Sequence, residues 1–246
     1  MKVIQIEKPI HVAKTKMYRN FLITKLEDSI LPNKTGAAMY ITGQPGCGKT
    51  TLLMSLINNQ YAKVWNNVYF FSPSAHTIGN KLKLGEDKLF TNLSPLAGVI
   101  EKIKTEYKEG LNEDLVYSSC IIIDDLIGSI KRNDSVMKNL ILNRGHLNCS
   151  VFILGQKWRE LPPVYRVNMT AAIIFPTKSA RELEAIVEDS NLFYDKKAYI
   201  DALKYCFADG KHSFAYVNLE HSKLYKHFKW EILCDDESDD EIEEKK

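Results

Sequence analysis

One octapeptide constrains this chain more than any other feature: Gly43-Gln-Pro-Gly-Cys-Gly48-Lys49-Thr50. It fits G-x-x-x-x-G-K-[ST] without a gap. It follows the apolar run Ala37–Ile41 and opens the segment Thr50–Asn58, where Leu52, Leu53, Leu56 and Ile57 recur on one side. A buried strand, a glycine-rich turn and a helix form the context this pattern requires. Its chemistry is direct. Gly43, Gly46 and Gly48 let the backbone curl until successive N–H groups face a phosphate, and the helix N-terminus adds its positive end. Lys49 reaches the β- and γ-phosphates as a point charge, and the Thr50 hydroxyl suits Mg²⁺. Gln44, Pro45, Cys47 and Thr51 complete the expected nucleotide-binding stretch. Cys47 reads as a small residue whose backbone matters rather than as a redox switch. A chance match in a chain this long is on the order of one in a hundred.

Two further strand ends carry polar chemistry. Cys120-Ile-Ile-Ile-Asp124-Asp125 is an apolar strand closing on two carboxylates, about 75 residues after Lys49. A charge at the end of a buried strand is costly unless it is paired or near a metal. Asp124 is therefore expected to hold the Mg²⁺ hydration shell, and Asp125 to polarise the attacking water. Ser150–Leu154 is another buried strand, leading through Gly155 to Gln156, whose amide can bond both water and a γ-phosphate and so sense the nucleotide. An ATPase motor also needs a cation opposite the γ-phosphate. Arg144, in Asn143-Arg-Gly-His146, and Arg166, in Tyr165-Arg-Val-Asn168, are the candidates for such an arginine finger. Lys131, Arg132, Lys157 and Arg159 follow the acidic and glutamine strands and could grip a polyanion. Trp158, among them, reads as packing against Leu161 and Pro162 rather than as a stacking platform.

The remaining sequence sets limits. The chain has 246 residues, enough for one substantial α/β core. Its longest apolar runs, Ala37–Ile41 and Ala171–Phe175, span five residues, far from the ~20 a membrane helix needs. The first residues, Met1 to Ile10, lack a signal-peptide pattern, so the protein is not expected to be secreted. Five scattered cysteines contain no Cys-x-x-Cys, which excludes an obvious zinc or disulfide framework. The net charge of +2 conceals a tail, Asp235–Lys246, with eight acids and two lysines, leaving a basic body of net charge +8. A polyanion partner suits that body. Further expected elements are a strand at Val68–Phe71, helices around Leu93–Tyr107, Ser135–Leu142 and Tyr199–Phe207, and a strand at Ala171–Phe175. Ser179-Ala-Arg-Glu182 reads as a capping box opening a helix through Val187. Ser213–Leu219 and Leu224–Ile232 alternate as a hairpin, expected as a small β appendage. The division expected is an N-terminal segment 1–34, an ATPase domain 35–233 that includes the hairpin, and an acidic, disordered tail 234–246.

Taken in order, these motifs resemble the FtsK–HerA superfamily of ring ATPases. Within it they resemble the DNA-packaging ATPases of nucleocytoplasmic large DNA viruses, poxviruses and virophages. The matching text is Ile41-Thr-Gly43 through Lys49-Thr-Thr51, Ile121-Ile-Ile-Asp-Asp125, Arg144-Gly-His146, and Cys149-Ser-Val-Phe-Ile-Leu-Gly-Gln156. Leu161-Pro162, Arg166-Val-Asn168 and the Ser213–Leu233 strand pair also match. The resemblance implies an α/β, three-layer P-loop NTPase of the additional-strand type, with parallel order 5-1-4-3-2 and a C-terminal hairpin. It places nucleotide and Mg²⁺ on Lys49 and Thr50, Mg²⁺ on Asp124, the catalytic carboxylate on Asp125, the sensor on Gln156 and the finger on Arg144. Asp125 stands where many ring ATPases have Glu, one methylene longer. The implied activity is ATP hydrolysis driving double-stranded DNA into a capsid. The implied partners are DNA, a homo-oligomeric ring and a capsid vertex or portal component, in the host cytoplasm or the virion. Two readings remain beside it: a DNA-segregation or conjugation pump or protein unfoldase, and a slow-turnover nucleotide-binding assembly scaffold.

Overall fold

The computed structural model describes residues 23–233, except 24, 25, 28, 114, 116, 132, 133 and 194, together with the side chain of residue 80. Arg132, most of the segment 1–34 and all of the acidic tail 234–246 lie outside the described residues.

Six strands form a parallel sheet. They are β1 (Ala38–Thr42), β2 (Asn67–Phe71), β3 (Leu89–Phe90), β4 (Ser119–Asp124), β5 (Cys149–Gly155) and β6 (Ala171–Ile174). Their order is β3-β2-β4-β5-β1-β6. With the short β3 set aside, this is the expected 5-1-4-3-2 arrangement, in which the glutamine strand lies between the phosphate-loop strand and the acidic strand. The strands are buried on both faces because helices cover both. Ala38 and Tyr40 of β1 point into one apolar layer with Ile121, Ile123, Val151 and Ile153. Met39 and Ile41 point into the other with Ile122, Phe152 and Leu154. The alternation of strand side chains thus builds the three layers.

Helices α1 (Lys49–Ser55), α2 (Ala75–Leu82), α3 (Leu96–Asn112), α4 (Ser135–Asn143), α5 (Pro163–Arg166), α6 (Ala180–Ser190) and α7 (Lys196–Cys206) connect the strands. The Ser179 cap is present: its side chain accepts from the Glu182 N–H at 3.4 Å. Asp134 and Asp195 cap α4 and α7 in the same way. Past Ser55, α1 widens into a π-turn segment, Leu56–Gln60.

The C-terminal strands differ from expectation. Strands β7 (Ala215–Asn218), β8 (Lys223–Lys226) and β9 (Trp230–Ile232) form a three-stranded antiparallel meander. They are no appendage: β7 pairs antiparallel with β6, so one nine-stranded sheet runs through the molecule. The second expected strand is split because His227 and Phe228 both adopt positive φ, 53° and 59°, and turn the chain.

Candidate nucleotide-binding and catalytic site

The parallel strands end together. Thr42 pairs with Gly155, and Asp124 with Leu154. The phosphate loop, Asp124, Asp125 and Gln156 therefore leave the sheet along one carboxyl edge, although they are distant in sequence. Ligands in open α/β sheets bind at such edges.

The loop is tightly built. A Cβ on Gly43 would lie 2.5 Å from the Cβ of Phe175 and 2.7 Å from the Cys47 Sγ, so only glycine fits. Gly48 precedes α1 with φ 107°, a left-handed conformation that other residues resist. Lys49 is buried, and its Nζ donates to the carbonyls of Gly43 at 2.7 Å and Gln44 at 3.4 Å. The ammonium is thus curled into the loop that would hold the phosphates. The first N–H groups of α1 have no partners within the helix and face the same space. Cys47 is buried and burial pushes its thiol pKa up, which suits packing better than reactivity.

Thr50 Oγ1 donates to Asp124 Oδ2 at 3.0 Å. Asp124 is 3% exposed, and its Oδ1 is buried without a hydrogen-bond partner. Burial raises its pKa, and the charge of Asp125 adds to this, while the Thr50 bond and Lys49 act against it. A carboxylate held up by desolvation, with one oxygen unmatched beside a hydroxyl, fits a divalent cation: the ion would replace the missing partner. Asp125 is exposed and carries φ 54°, so the chain turns sharply as it leaves β4 and presents the carboxylate outward.

Gln156 is exposed at the end of β5. Its N–H donates to Glu160 Oε2 at 2.9 Å, and that oxygen also accepts from the Lys157 N–H at 3.3 Å. Glu160 therefore fixes the turn that carries Gln156. A cleft of about 330 Å³ joins Gln156 to Thr42–Pro45, with Trp158, Phe175 and Glu182 on its walls.

The arginines part company with this edge. Arg144 lies between α4 and the start of β5, at the opposite end of the strand from Gln156. With seven strand residues between them, that is about 20 Å. Its guanidinium bonds the Ile141 carbonyl at 2.5 Å, its Nε is buried without a hydrogen-bond partner, and burial lowers its pKa. It cannot serve its own nucleotide. Arg166 is 8% exposed and is committed to an ion pair with Asp189 at 2.7 Å. The same Asp189 oxygen accepts from Trp158 Nε1 at 2.6 Å. Trp158 is itself buried against Tyr40, so it packs, as expected, rather than offering a stacking face. Lys131, Lys157 and Arg159 are exposed.

Two contributors escape a linear reading. Glu160 is signalled only by its spacing from Gln156. His212 bonds the Cys47 carbonyl through Nδ1 at 2.9 Å, and nothing in the sequence links positions 165 residues apart.

With this geometry in place, the comparisons with known proteins converge. The family model described as "Poxvirus A32 protein" matches residues 27–246. The chain belongs to the poxvirus A32 protein family. It is an ATPase by class, and the FtsK–HerA resemblance stands. The nucleoside-triphosphatase THEP1 of Sulfolobus acidocaldarius is 30% identical over 115 residues, covering 42% of this chain and 67% of that protein. Among solved structures, the genome packaging NTPase B204 of Sulfolobus turreted icosahedral virus 2, with sulfate, superimposes at TM-score 0.56 and 15% identity. It covers 80% of this chain and 97% of that one. The pCW3 conjugation coupling protein TcpA superimposes at TM-score 0.52 and 12% identity, covering 74% of this chain and 57% of that one. At these identities the structures establish the shared fold. Among the described residues, no helix of this family member is long and apolar enough to cross a membrane.

Proposed function

We propose that this A32-family chain is a genome-packaging motor, hydrolysing ATP in a homo-oligomeric ring to drive double-stranded DNA into a capsid through a vertex or portal component. The work would be done in the host cytoplasm or the virion. The observation that carries the reading is the convergence of the phosphate loop, Asp124, Asp125 and Gln156 on one sheet edge, in a chain of a poxvirus family. The structures of the genome packaging NTPase B204 in complex with AMPPCP, AMP and ATP-gammaS support the choice of ligand.

In this reading Gly43–Thr51 wrap the phosphates with backbone N–H groups, and Lys49 leaves its carbonyls to meet the β- and γ-oxygens. Thr50 and Asp124 would hold Mg²⁺, which would neutralise phosphate charge when bound. The Asp125 carboxylate takes the proton from the attacking water, and the Gln156 amide orients that water against the γ-phosphate. Arg144, too far from its own site, acts on the nucleotide of the adjacent subunit. Its side chain, half-buried at the far end of the sheet and held by the Ile141 carbonyl, would swing out to reach an acceptor in trans. Arg166 is not a finger in this scheme, because Asp189 already holds it. Lys131, Lys157 and Arg159, with Arg132, form the basic loops that track DNA phosphates without reading sequence.

The decisive experiment is the ATPase rate with and without double-stranded DNA, run beside native mass measurement. The expected result is a rate that DNA stimulates and that rises with protein concentration as rings form. An ATPase indifferent to DNA, in a protein shown to form rings, would overturn the motor in favour of an assembly scaffold or a protein unfoldase.

A further inference from the structure

The turn that carries Gln156 is held from three sides, and only one of them is local. Within the turn, Glu160 accepts from the Gln156 and Lys157 N–H groups at 2.9 and 3.3 Å. From α6, Glu182 accepts from the Arg159 N–H at 3.2 Å, and Asp189 accepts from Trp158 Nε1 at 2.6 Å. These two carboxylates stand two helical turns apart and so share one face of α6. The third hold comes from the sheet itself. Tyr40 Oη donates to the Lys157 carbonyl at 2.5 Å, one residue beyond Gln156.

Tyr40 belongs to β1 and precedes the phosphate loop by only two residues, Ile41 and Thr42. It is wholly buried, and its ring centroid lies 5.5 Å from that of Trp158. Burial pushes its pKa up, so the hydroxyl keeps its proton and donates. The same ring lies against Gly155, the residue just before Gln156. A Cβ on Gly155 would come within 2.4 Å of Tyr40 Oη and 2.3 Å of Ile127 Cδ1. Ile127 opens the turn that follows Asp124 and Asp125. The exits of the phosphate-loop strand, the acidic strand and the glutamine strand therefore touch at one glycine. A phenylalanine would fill the space of the Tyr40 ring equally well. What the hydroxyl adds is a fixed point for the backbone as it leaves β5.

We propose that Tyr40 is a positioning residue for hydrolysis: its hydroxyl sets the Gln156 turn against the phosphate loop, so that the Gln156 amide meets the attacking water in a fixed place. The inference rests on the reading of Gln156 as the residue that orients that water. It adds that the spacing between loop and sensor is carried by a side chain of the phosphate-loop strand, which acts through Gln156 rather than on the nucleotide.

The test is a double-mutant cycle on the full chain, read as kcat at saturating Mg²⁺-ATP beside the Kd for Mg²⁺-AMPPCP. Tyr40→Phe keeps the ring and removes the bond. It should lower kcat by about ten- to a hundredfold, the scale of a small misplacement. Its Kd should stay within about twofold of wild type, and that retained binding also shows that the sheet and the loop are folded. Gln156→Ala should lower kcat at least as far. Adding Tyr40→Phe to Gln156→Ala should change kcat by less than about twofold, because a turn without its amide has nothing left to position. Fully additive losses, a Tyr40→Phe kcat equal to wild type, or a Tyr40→Phe protein that no longer binds AMPPCP would each overturn the positioning role and leave Tyr40 as a packing residue. A Gln156→Ala protein that hydrolyses at the wild-type rate would fail at the level below, removing the sensor reading and the proposal with it.

Discussion

The two ends of the parallel sheet treat buried polar groups in opposite ways. At the amino end they are matched. Asn148, 1% exposed, accepts from Thr35 Oγ1 and donates to the Tyr117 carbonyl at 2.8 Å. Ser150 Oγ accepts from the Gly36 N–H at 3.1 Å and from Trp65 Nε1 at 3.2 Å. At the carboxyl end Asp124 Oδ1 is buried unmatched, and Lys49 is held only by the carbonyls of its own loop. A matched network holds a fold together, whereas an unmatched one holds chemistry in readiness at the expense of stability. Arg144 is the exception at the amino end, a charged group with an unmatched Nε among satisfied neighbours. That is the pattern of the carboxyl end appearing at the wrong edge, and it makes sense if the side chain leaves this buried pose to meet an acceptor on another subunit.

The largest test of this contrast falls on Arg144. Arg144→Ala should lower hydrolysis by about 10³–10⁵-fold in assembled protein while leaving ATP binding intact. Mixed with Lys49→Ala subunits, which keep the arginine but lack the site, it should regain part of the activity. Mixed rings, verified by mass, that stay silent would return Arg144 to a structural role.

Next comes Asp125. Asp125→Asn tolerates the left-handed backbone and keeps the shape, so nucleotide binding should persist while turnover drops by about 10²–10⁴-fold. Unchanged turnover would leave the carboxylate as a mere turn residue.

Asn148→Ala should do the reverse. It removes two matched hydrogen bonds and puts alanine at φ 48°, so stability should fall by about 2–4 kcal/mol. Turnover per folded molecule should stay near wild type. Denaturant midpoints and active-site titration would show whether the amino end is as purely structural as its bonding suggests.

The smallest effect concerns Asp124. Its folded pKa lies above the unfolded value, so the native state holds the proton more tightly. Its contribution to stability is therefore greatest below the unfolded pKa and declines as pH rises through the folded one. Asp124→Asn should abolish that decline and raise the nucleotide-free stability by an amount on the order of 1 kcal/mol, while Mg²⁺-dependent nucleotide binding is lost. A variant that melts lower than wild type at pH 7 would mean that Asp124 is stabilising rather than strained.

Much of this arrangement can be read from the chain because it is local. The loop, the acidic strand end and the Ser179 cap are contiguous patterns, and uninterrupted apolar runs mark the central strands. What escaped the sequence reading is set by distant packing. Arg166 looks like any basic residue until Asp189, on another helix, is seen to neutralise it. His212 reaches Cys47 only because β7 docks on β6, and that docking depends on an edge pairing that no periodicity records. The left-handed Asp125 is invisible for a different reason, since Asp-Asp is an ordinary way to leave a strand.

The continuity of β6 with β7 also bears on how this protein can be trimmed. Open sheets aggregate through unsatisfied margins, and natural ones keep their outermost strands short or polar. Here one margin is the two-residue β3 and the other is β9, with exposed Trp230 and Glu231. A truncation ending before Ser213 would strip that guard and lay bare Ala171–Ile174, wholly apolar and flat, as the new border. Such a fragment should emerge as inclusion bodies rather than as a smaller enzyme, so expression designs should retain the chain through Leu233.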